Sequence, residues 1–588
     1  MLRKTDQFLL PVYKNKSTQR TSEIYPSYTT IDSKILEGYK SLVNYIVDEN
    51  FIIIDGYIGV DWNEVITTIS QLLIEKGKKI SIQNIDHCLK SEETIERMIS
   101  PYLGGDDPIF GKKTSLSLID YFEHDKLESI RLDSACDIHI IYGCGSSLSG
   151  IKGLLLYFDL PKNELQYRMR AKSITNLGYK HPKDSKQMYK HFYFVDWILL
   201  NKEKKKLLPS IDIFVDQQRP NIPTWMLGDG LRKTLNKMSL TYFRVRPWFE
   251  PGVWGGQWIK NHFDQLNHDV PNYAWSFEMI VPENGLLLEN ESLLLEVSFD
   301  LLLFQEQKNV LGNASKRFQD EFPIRFDFLD TFQGGNLSVQ VHPKPDYIKN
   351  EFGESFTQDE TYYILDSGDD ANVYIGFQED INPAKFKEDL ENCYQTKEIL
   401  EVEKYIQKHP AKKHDLFLIP HGTPHCSGIN NMVLEISATP YIYTFKMYDW
   451  QRLDLDGKPR PLNINRAFEN LDFSRKGNVV PETLISKPIV SDYGDNWKKV
   501  QLPTHKDHFY EIYRYEFDVE MEIETLNQCH VLMLVEGTSI NLDLKNESHT
   551  FNYAETFAIP AATGSYKLIN NGNKKAKVIV SFVKEGAC

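Results

Sequence analysis

The first 235 residues alternate short apolar runs with segments of helical periodicity. Apolar runs occupy residues 51 to 57, 79 to 85, 137 to 143 and 153 to 160, and an amphipathic stretch at 60 to 77 follows the first of them. Buried strands separated by 3.6-residue periodicity are typical of βαβ units. We therefore predict that residues 1 to 235 form an α/β domain with a mostly parallel sheet.

From residue 236 the pattern changes to short β-rich runs separated by Gly, Pro, Asn and Asp. Examples are LSVQVHP at 337 to 343, ETYYILD at 360 to 366 and ANVYIGF at 371 to 377. Such spacing predicts an all-β sandwich or barrel. Residues 382 to 409 carry helix formers and few β-branched residues, so we predict a helical insertion between strands there.

The β-rich region contains an internal repeat. Residues 415 to 430 (DLFLIPHGTPHCSGIN) and 555 to 570 (ETFAIPAATGSYKLIN) align without a gap. Both segments have the same order of features: an acidic residue, a strand, a proline and a hairpin. This order is typical of the closing strands of a jelly-roll barrel. We predict two related barrels, at 236 to 475 and 476 to 588. His425 in the first repeat corresponds to Ser565 in the second, so only the first barrel is expected to bind a metal.

Composition and charge narrow the classes of function. The 588 residues are 41% hydrophobic and 25% charged, which excludes wholesale disorder and leaves room for several domains. A formal net charge of −15 argues against binding to nucleic acid or to an anionic membrane surface. The seven cysteines are scattered without CxxC spacing, so we expect reduced thiols.

Targeting and membrane signals also inform the expected location. Only a short apolar run precedes Pro11, too short for the apolar core of a secretory signal. The apolar segment from Gly285 to Phe304 is interrupted by acidic residues and does not suit a membrane helix of about 20 residues. We expect a cytoplasmic protein, and the sequence leaves its oligomeric state open.

Four polar residues of the first predicted barrel are candidate metal ligands. Gln340 and His342 are two positions apart, which on a strand turns both side chains to one face. Glu360 begins a later strand, and His425 follows a Pro-His-Gly turn. Two imidazoles, a carboxylate and an amide oxygen suit Zn²⁺ and also fit Fe²⁺, Mn²⁺ or Co²⁺. A single strand histidine is more often a packing residue, so the prediction depends on all four.

A family resemblance supports this set. The segments FPIRFDFLDTFQGGNLSVQVHP, DETYYILDSGDDANVYIGF, FLIPHGTPHCSG, MVLEIS and MYDWQR follow one another as in class I mannose-6-phosphate isomerases, which are zinc-dependent cupin enzymes. The region from about 242 to 588 resembles that family. The resemblance implies a double jelly-roll, interconversion of mannose 6-phosphate and fructose 6-phosphate through a cis-enediol, and zinc at Gln340, His342, Glu360 and His425.

The resemblance also implies roles for residues around the metal. Glu435 in LEIS corresponds to a family acid that faces the pocket, so it is the acid/base candidate, or else it only orients a ligand. Ser338 fits the family's SxQxHP pattern and is a candidate for substrate binding or for packing. Trp254 in the WGG segment either lines the site or belongs to the core.

The chain departs from the family pattern at three places. Gln358 stands where compact bacterial members carry a lysine, and we assign it to substrate binding. Lys446 replaces an arginine, which keeps the charge but loses the bidentate fork; it is our candidate for the cationic catalytic residue. The loop from Ser437 to Phe445 lacks an acidic residue found in relatives. Two alternatives stay open: an isomerase of another or unphosphorylated sugar, and a non-catalytic metal-containing protein for sugar binding or regulation.

The N-terminal domain resembles a degenerate P-loop kinase. FIIIDGYIGVDWNEVITTI begins like the strand, loop and helix of such an enzyme. The segment from Gly56 to Val60 lacks both the lysine and the hydroxyl residue that bind phosphates and Mg²⁺. Gly143, Gly145 and Gly150 follow another strand and suggest a second phosphate loop. We expect a non-catalytic scaffold, or a sensor of sugar or nucleotide.

Overall fold

The computed structural model describes residues 1–14, 22–105, 107–131, 135–454 and 457–588. The described residues divide into two compact units. The first unit contains those of 1–17, 25–238 and 282–306, and the second contains those of 18–24, 239–281 and 307–588. Residues 282–306, which the sequence pattern assigned to the β-rich region, therefore group with the N-terminal unit.

The first unit is built on a twisted sheet with a parallel centre. In spatial order, the described strands of this seven-stranded sheet are Leu36–Glu37, Thr224–Leu227, Ile213–Asp216, Leu154–Asp159, Phe51–Gly56, Ile138–Tyr142 and Ile80–Asn84. The last five of these pair in parallel, and the first two are antiparallel additions at one edge. The apolar runs at 51 to 57, 79 to 85, 137 to 143 and 153 to 160 supply four of the parallel strands.

Helices connect the parallel strands. The helix Trp62–Glu75 is typical, because the Asp61 side chain caps its first turn by accepting from the N–H of Glu64, and Val65, Ile69 and Leu73 form its buried stripe. The α-helices described in this unit before residue 282 are Gly38–Ile46, Trp62–Glu75, Glu92–Ile99, His124–Glu128, Lys162–Arg170, Ser185–His191, Trp197–Leu207 and Gly228–Met238. A π-helical turn, Phe192–Asp196, joins the sixth and seventh of these.

Two loops at the carboxyl ends of the parallel strands are held by side chains of the same unit. The Asp55 carboxylate accepts hydrogen bonds from the backbone N–H groups of Gly56, Gly145 and Ser147, at 2.7, 2.8 and 2.8 Å. The guanidinium of Arg168, which is fully buried, donates to the carbonyl of Gly59 at 2.9 Å. Both glycine-containing loops identified from the sequence are thus anchored by side chains of this unit.

The segment 282–306 completes this unit. Its strands Gly285–Asn290 and Leu293–Ser298 form a three-stranded sheet with Ser27–Thr29. Buried polar contacts hold it: Lys162 Nζ lies 2.7 Å from Asp300 Oδ2, and Lys204 Nζ donates to Ser298 Oγ at 2.9 Å. The helical segment Asp300–Leu311 leaves helical geometry at Glu306, where the division between the units falls. No described helix is long and apolar enough to cross a membrane.

The second unit begins with two sheets whose side chains meet. The six-stranded sheet, in spatial order, contains Leu416–Ile419, Glu360–Ser367, Asn431–Ala438, Ile324–Asp330, Trp275–Met279 and Trp248–Glu250. The five-stranded sheet contains Ile406–Pro410, Asn372–Phe377, His425–Ser427, Val339–Val341 and Phe445–Tyr448. The α-helices described around them are Trp258–His262, Ser315–Phe318, Pro345–Phe352, Pro383–Thr396, Ile464–Asn470 and Val479–Thr483.

The insertion expected at 382 to 409 is only partly helical. Its helix, Pro383–Thr396, is capped by the Asn382 side chain and ends at Lys397, whose φ of 66° is left-handed. Residues Ile406–Pro410 instead form an edge strand that pairs with Asn372–Phe377. Tertiary pairing with an available strand edge overrides the helix-forming composition there.

The remaining sheets of the second unit have an apolar interior. One contains Ile489–Gly494, Trp497–Leu502, Tyr510–Phe517, Ala576–Val583, His530–Glu536 and Thr556–Ile559; the other contains Glu520–Glu524, Ser565–Asn570, Ser539–Leu544 and Glu547–Asn552. The repeat seen in the sequence places Leu416–Ile419 and Thr556–Ile559 at matching edges of their six-stranded sheets. Phe517, Leu532, Phe557 and Leu568 are among the buried residues of the cluster between these sheets.

Candidate metal centre

Strand register brings the predicted ligands toward one another. Gln340 lies opposite His425 on one neighbouring strand and opposite Lys446 on the other. Glu360 belongs to the six-stranded sheet, where it lies opposite Ile419 and Ser437. Because successive side chains of a strand alternate between faces, this register turns Gln340 and Glu360 toward the space between the two sheets.

His342, Glu360 and His425 meet in that space. His342 Nε2 is 3.0 Å from Glu360 Oε1, and His425 Nε2 is 3.3 Å from Glu360 Oε2. The potential ligand atoms of the three residues all lie within 4.8 Å of one another. All three side chains are buried, with at most 1% of each residue exposed. Two imidazoles and a carboxylate at this spacing form a donor set of the kind that holds a transition metal.

Both imidazoles are oriented by backbone carbonyls. His342 Nδ1 is 3.0 Å from the carbonyl oxygen of Tyr443, and His425 Nδ1 is 2.9 Å from that of Thr423. A carbonyl only accepts, so each Nδ1 carries the proton and each Nε2 presents a lone pair. Among the described residues, the buried His342 Nε2 and Glu360 Oε2 have no hydrogen-bond partner. Buried nitrogen and oxygen atoms whose lone pairs have no hydrogen-bond donor are suited to bind a cation, so these residues fit a divalent metal.

Gln340 lies beside this triad. Its Nε2 is 3.3 Å from His425 Nε2, and its Oε1 accepts from Ser338 Oγ at 3.3 Å. The two residues are 7% and 1% exposed, respectively. Ser338 is therefore next to the ligand set, on the same face of its strand as Gln340.

Gln358 connects the triad to the loop that follows Ser437. Its Nε2 donates to Glu360 Oε1 at 3.0 Å, and its Oε1 accepts from the backbone N–H of Tyr443 at 3.0 Å. The carbonyl of the same Tyr443 accepts the hydrogen bond from His342 Nδ1. A neutral amide at this position thus fixes the orientation of one candidate ligand and of the loop that orients another.

Glu435 is not isolated in the pocket. It makes a close ion pair with Arg325, and Ser437 Oγ donates to its Oε1 at 2.8 Å. Arg325 also reaches Asp327 at 2.8 Å and Glu360 at 3.2 Å. Every member of this group is buried. The acid/base candidate therefore belongs to a network with one of the candidate ligands.

The buried charges perturb one another. Burial raises the pKa of Glu360, but positive charge at His342 and His425 outweighs burial and holds that pKa well below its usual range. A cation bound between the neutral imidazoles would act in the same direction. Burial raises the pKa of Glu435 well above its usual range, although Arg325 opposes the rise. Burial likewise raises the pKa of Asp327 to about 7. Burial lowers the pKa of His425, which is the direction that favours the neutral imidazole a metal ligand requires.

Two further predicted site residues, Lys446 and Trp254, lie outside the group of contacts around His342, Glu360 and His425. Lys446 is half-buried on the strand Phe445–Tyr448 and is placed by register beside Gln340. Trp254 is 1% exposed and packs edge-on against Trp275, with ring centroids 4.7 Å apart, which is the packing of a core aromatic.

Sequence reasoning overlooked Arg325. Its signal is the alternation in IRFDF at 324 to 328, where charged residues occupy every second position of an otherwise apolar strand. Such alternation indicates that one face of the strand meets polar groups. Arg325 lies opposite Ser437, and Asp327 lies opposite Glu435, so this face is the one toward Glu360.

Comparison with known proteins gives different results for the two parts of the chain. Residues 38–240 match a family model described as a domain of unknown function, DUF8485. A mannose-6-phosphate isomerase of Streptococcus mutans is 27% identical over 236 residues, which covers 40% of this chain and 68% of the relative. The Bacillus subtilis mannose-6-phosphate isomerase ManA is 26% identical over 227 residues, or 39% of this chain and 67% of the relative.

Solved structures also match. The mannose 6-phosphate isomerase of Bacillus subtilis superposes with a TM-score of 0.46 at 18% identity, over 58% of this chain and 99% of that chain. The sequence relatives support the prediction that this chain is a sugar-phosphate isomerase.

Proposed function

We propose that the chain is a metal-dependent aldose–ketose isomerase that converts mannose 6-phosphate to fructose 6-phosphate through a cis-enediol. The observation that carries the proposal is the convergence of His342, Glu360 and His425 in a buried space, with both Nδ1 atoms bonded to backbone carbonyls and both Nε2 atoms turned toward Glu360. The similarity to named mannose-6-phosphate isomerases supports the reaction class.

The proposed metal ligands are Gln340, His342, Glu360 and His425, and the proposed ion is Zn²⁺. Rotation of the Gln340 amide would exchange its nitrogen for the oxygen that a metal requires beside His425. When bound, a divalent ion would polarise the sugar carbonyl and stabilise the enediolate charge. We propose the class I cupin architecture for this part of the chain, with a first barrel at 236 to 475 outside the segment 282–306 and a second at 476 to 588.

The chain's own residues would handle the proton and the remaining charge. Glu435 is the proposed acid/base residue that moves the proton between C1 and C2, and its Arg325 partner would hold it in one orientation. Lys446 is the proposed cation for the developing enediolate, because register places it beside Gln340. Ser338 and Gln358 would contact the substrate or the metal ligands. Trp254 would support the loop to which it belongs.

A second candidate function is isomerisation of an unphosphorylated sugar. The observation that favours it concerns Arg325, whose three guanidinium nitrogens are already bonded to Ser437, to Asp327 and to the pair Glu360 and Glu435. Four of the five N–H groups of this guanidinium are engaged within the protein, so it has no fork left for a phosphate. Gln358 is neutral, which removes another cation from the vicinity of Glu360.

We propose that the first unit is a non-catalytic scaffold with a degenerate kinase-like fold. A phosphate loop binds an anion with its backbone N–H groups. Here the N–H groups of Gly145 and Ser147 bind the unit's own carboxylate, Asp55. The loop after Phe51–Gly56 is held at Gly59 by Arg168. The N–H groups of the second loop are therefore taken by Asp55, and the first loop lacks the lysine and hydroxyl residue that bind phosphates and Mg²⁺.

Turnover with and without chelator tests the isomerase proposal. Purified protein is assayed on mannose 6-phosphate, fructose 6-phosphate and the corresponding unphosphorylated sugars, before and after metal removal and zinc restoration. We expect turnover of the phosphate pair, its loss on chelation and its return with zinc. Turnover only of an unphosphorylated sugar would select the second candidate, and zinc binding without turnover of any sugar would contradict both.

Nucleotide titration tests the scaffold proposal. ATP, GTP and UTP with Mg²⁺ are titrated into the full chain and into the variant Asp55→Asn. We expect no saturable binding to the wild-type chain at millimolar nucleotide. Saturable binding that Arg168→Ala or Asp55→Asn changes would overturn the scaffold assignment.

A further inference from the structure

Arg325 contacts the proposed metal site through one oxygen of Glu360. Its Nη2 lies 3.2 Å from Glu360 Oε1, the oxygen that also accepts from Gln358 Nε2 at 3.0 Å. The other oxygen, Oε2, faces His425 Nε2 at 3.3 Å and has no hydrogen-bond partner among the described residues. The two donors therefore occupy Oε1, which also lies 3.0 Å from His342 Nε2, and leave Oε2 presented to His425.

The rest of the guanidinium is anchored to the same sheet. Arg325 Nε donates to Ser437 Oγ at 2.7 Å, and Nη1 donates to Asp327 Oδ2 at 2.8 Å. Arg325 lies opposite Ser437 in the strand register, and Glu360 lies opposite Ser437 from the other side. A planar fork held at three nitrogens has little freedom to move, so its contact with Glu360 is fixed in direction.

The charge of this cluster suits a bound divalent cation. A cation in the site would favour the ionised carboxylates, so that Asp327, Glu360 and Glu435 would contribute three negative charges and Arg325 one positive charge. The remaining charge of −2 equals what one divalent cation neutralises. Buried charges are tolerated when they are paired in this way.

We infer that Arg325 is a positioning residue for the metal centre: it holds the Glu360 carboxylate in the orientation that turns Oε1 toward His342 and the free Oε2 toward His425. This inference rests on the proposed function, because it assumes that His342, Glu360 and His425 bind a metal. It assigns a role to a residue outside the ligand set, acting through Glu360. Partners of metal ligands typically change metal affinity by 10- to 100-fold when they are replaced.

Two physical effects of Arg325 on zinc affinity have opposite signs. Removing the guanidinium frees Glu360 to rotate, which weakens zinc binding. It also removes a positive charge near the cation, which strengthens binding. The double variant R325M/E435Q separates them, because it removes one positive and one negative charge and leaves the cluster at −2. The charge-matched reference is therefore the wild type, and E435Q alone, which keeps Arg325 on Asp327 and Glu360, reports the effect of losing the Glu435 charge.

The test is the affinity of chelator-treated protein for Zn²⁺, measured by competition with a chromophoric chelator, together with the melting midpoint of each apoprotein. We expect R325M/E435Q to bind Zn²⁺ 10- to 100-fold more weakly than the wild type. Equal or tighter binding by the double variant would overturn the inference. A purely structural role would lower the melting midpoint while leaving the affinity of the folded protein unchanged, which would also overturn it.

A second variant keeps the inference testable if the double variant does not fold. R325K retains the charge, but one ammonium cannot span the contacts that the guanidinium makes, so we expect at least tenfold weaker Zn²⁺ binding than in wild type. Wild-type affinity in R325K would overturn the inference. If the wild-type protein itself binds no Zn²⁺, the proposed function fails; if wild type binds and the variants bind equally well, only the role of Arg325 fails.

Discussion

The two barrels of the second unit place different chemistry on matching strands. Glu360 begins a strand and lies opposite Ile419; His530 begins the corresponding strand and lies opposite Ile559, at the same place in the repeat. Glu360 contacts two histidines and an arginine. His530 Nδ1 instead lies 2.9 Å from the hydroxyl of Tyr566.

The positions next to Glu360 are also more polar than the corresponding positions next to His530. Glu435 lies opposite Tyr362 in the first barrel, whereas Val580 lies opposite Leu532 in the second. His425 is buried, but Ser565, its counterpart in the repeat, is exposed, and Tyr566 points inward instead. One barrel frame thus supports either a complete charged network or an apolar core with a neutral histidine. A partial network would leave buried charges unpaired.

The largest predicted effect comes from replacing the histidine of each barrel in turn. We predict that His425→Ala lowers kcat by at least about 10³-fold, because a bound metal supplies several kcal/mol of transition-state stabilisation. His530→Leu, in the second barrel, should leave kcat within about twofold on the same scale. Steady-state isomerase assays of the two variants check this. Similar losses in both would mean that the second barrel takes part in turnover.

Lys446 should separate catalysis from metal binding in the first barrel. We predict that Lys446→Ala lowers kcat by about 10²- to 10³-fold, the usual effect of removing one group that stabilises transition-state charge, and that the bound metal is retained. Lys446→Arg is the control, since it keeps the cation. Kinetics and metal analysis on the same samples check the prediction, and an unchanged rate in Lys446→Ala would remove Lys446 from the mechanism.

Zinc should stabilise one barrel and not the other. At free zinc of about 100 times Kd, binding to the folded state alone adds about 2.7 kcal/mol. We predict that the melting transition of the wild type rises with zinc, that His425→Ala abolishes the rise and that His530→Leu retains it. Calorimetry of apoprotein with and without zinc measures the three cases. A zinc-dependent rise that survives His425→Ala would place the binding elsewhere.

The smallest predicted effect is a pH dependence in the second barrel. Burial lowers the pKa of His530 to about 3. Below the ordinary histidine pKa of about 6.5 the unfolded chain binds a proton that the folded barrel does not, so stability falls as pH falls from about 6.5 toward 3, by at most about 1.4 kcal/mol per unit. We predict a shallower acid-side fall in the melting midpoint for His530→Leu. An equally steep fall in that variant would show that other groups control it.

Much of the fold was predictable from local pattern. The parallel strands of the first unit follow continuous apolar runs, and the helix Trp62–Glu75 follows a capped amphipathic stretch. The segment 282–306 was not predictable, because its strands pair with Ser27–Thr29, far away in the sequence. The strand at Ile406–Pro410 was missed for a similar reason, since its pairing is tertiary.

The candidate site was also only partly predictable from the sequence. Gln340 and His342 follow from strand alternation, and Glu360 and His425 from motif order, so their residue types and positions were visible in the sequence. Arg325 was missed because only the register of three strands shows that it meets Glu360 and Glu435. The environment of Trp254 depends on packing against Trp275, which motif order does not encode.

The most direct test of the central claim is the zinc stoichiometry of chelator-treated protein, measured by isothermal titration with Zn²⁺. The account predicts one ion per chain in the wild type, and none at this site in His342→Ala. A wild-type chain that takes up no zinc, or a His342→Ala chain that binds one ion with unchanged affinity, would contradict it.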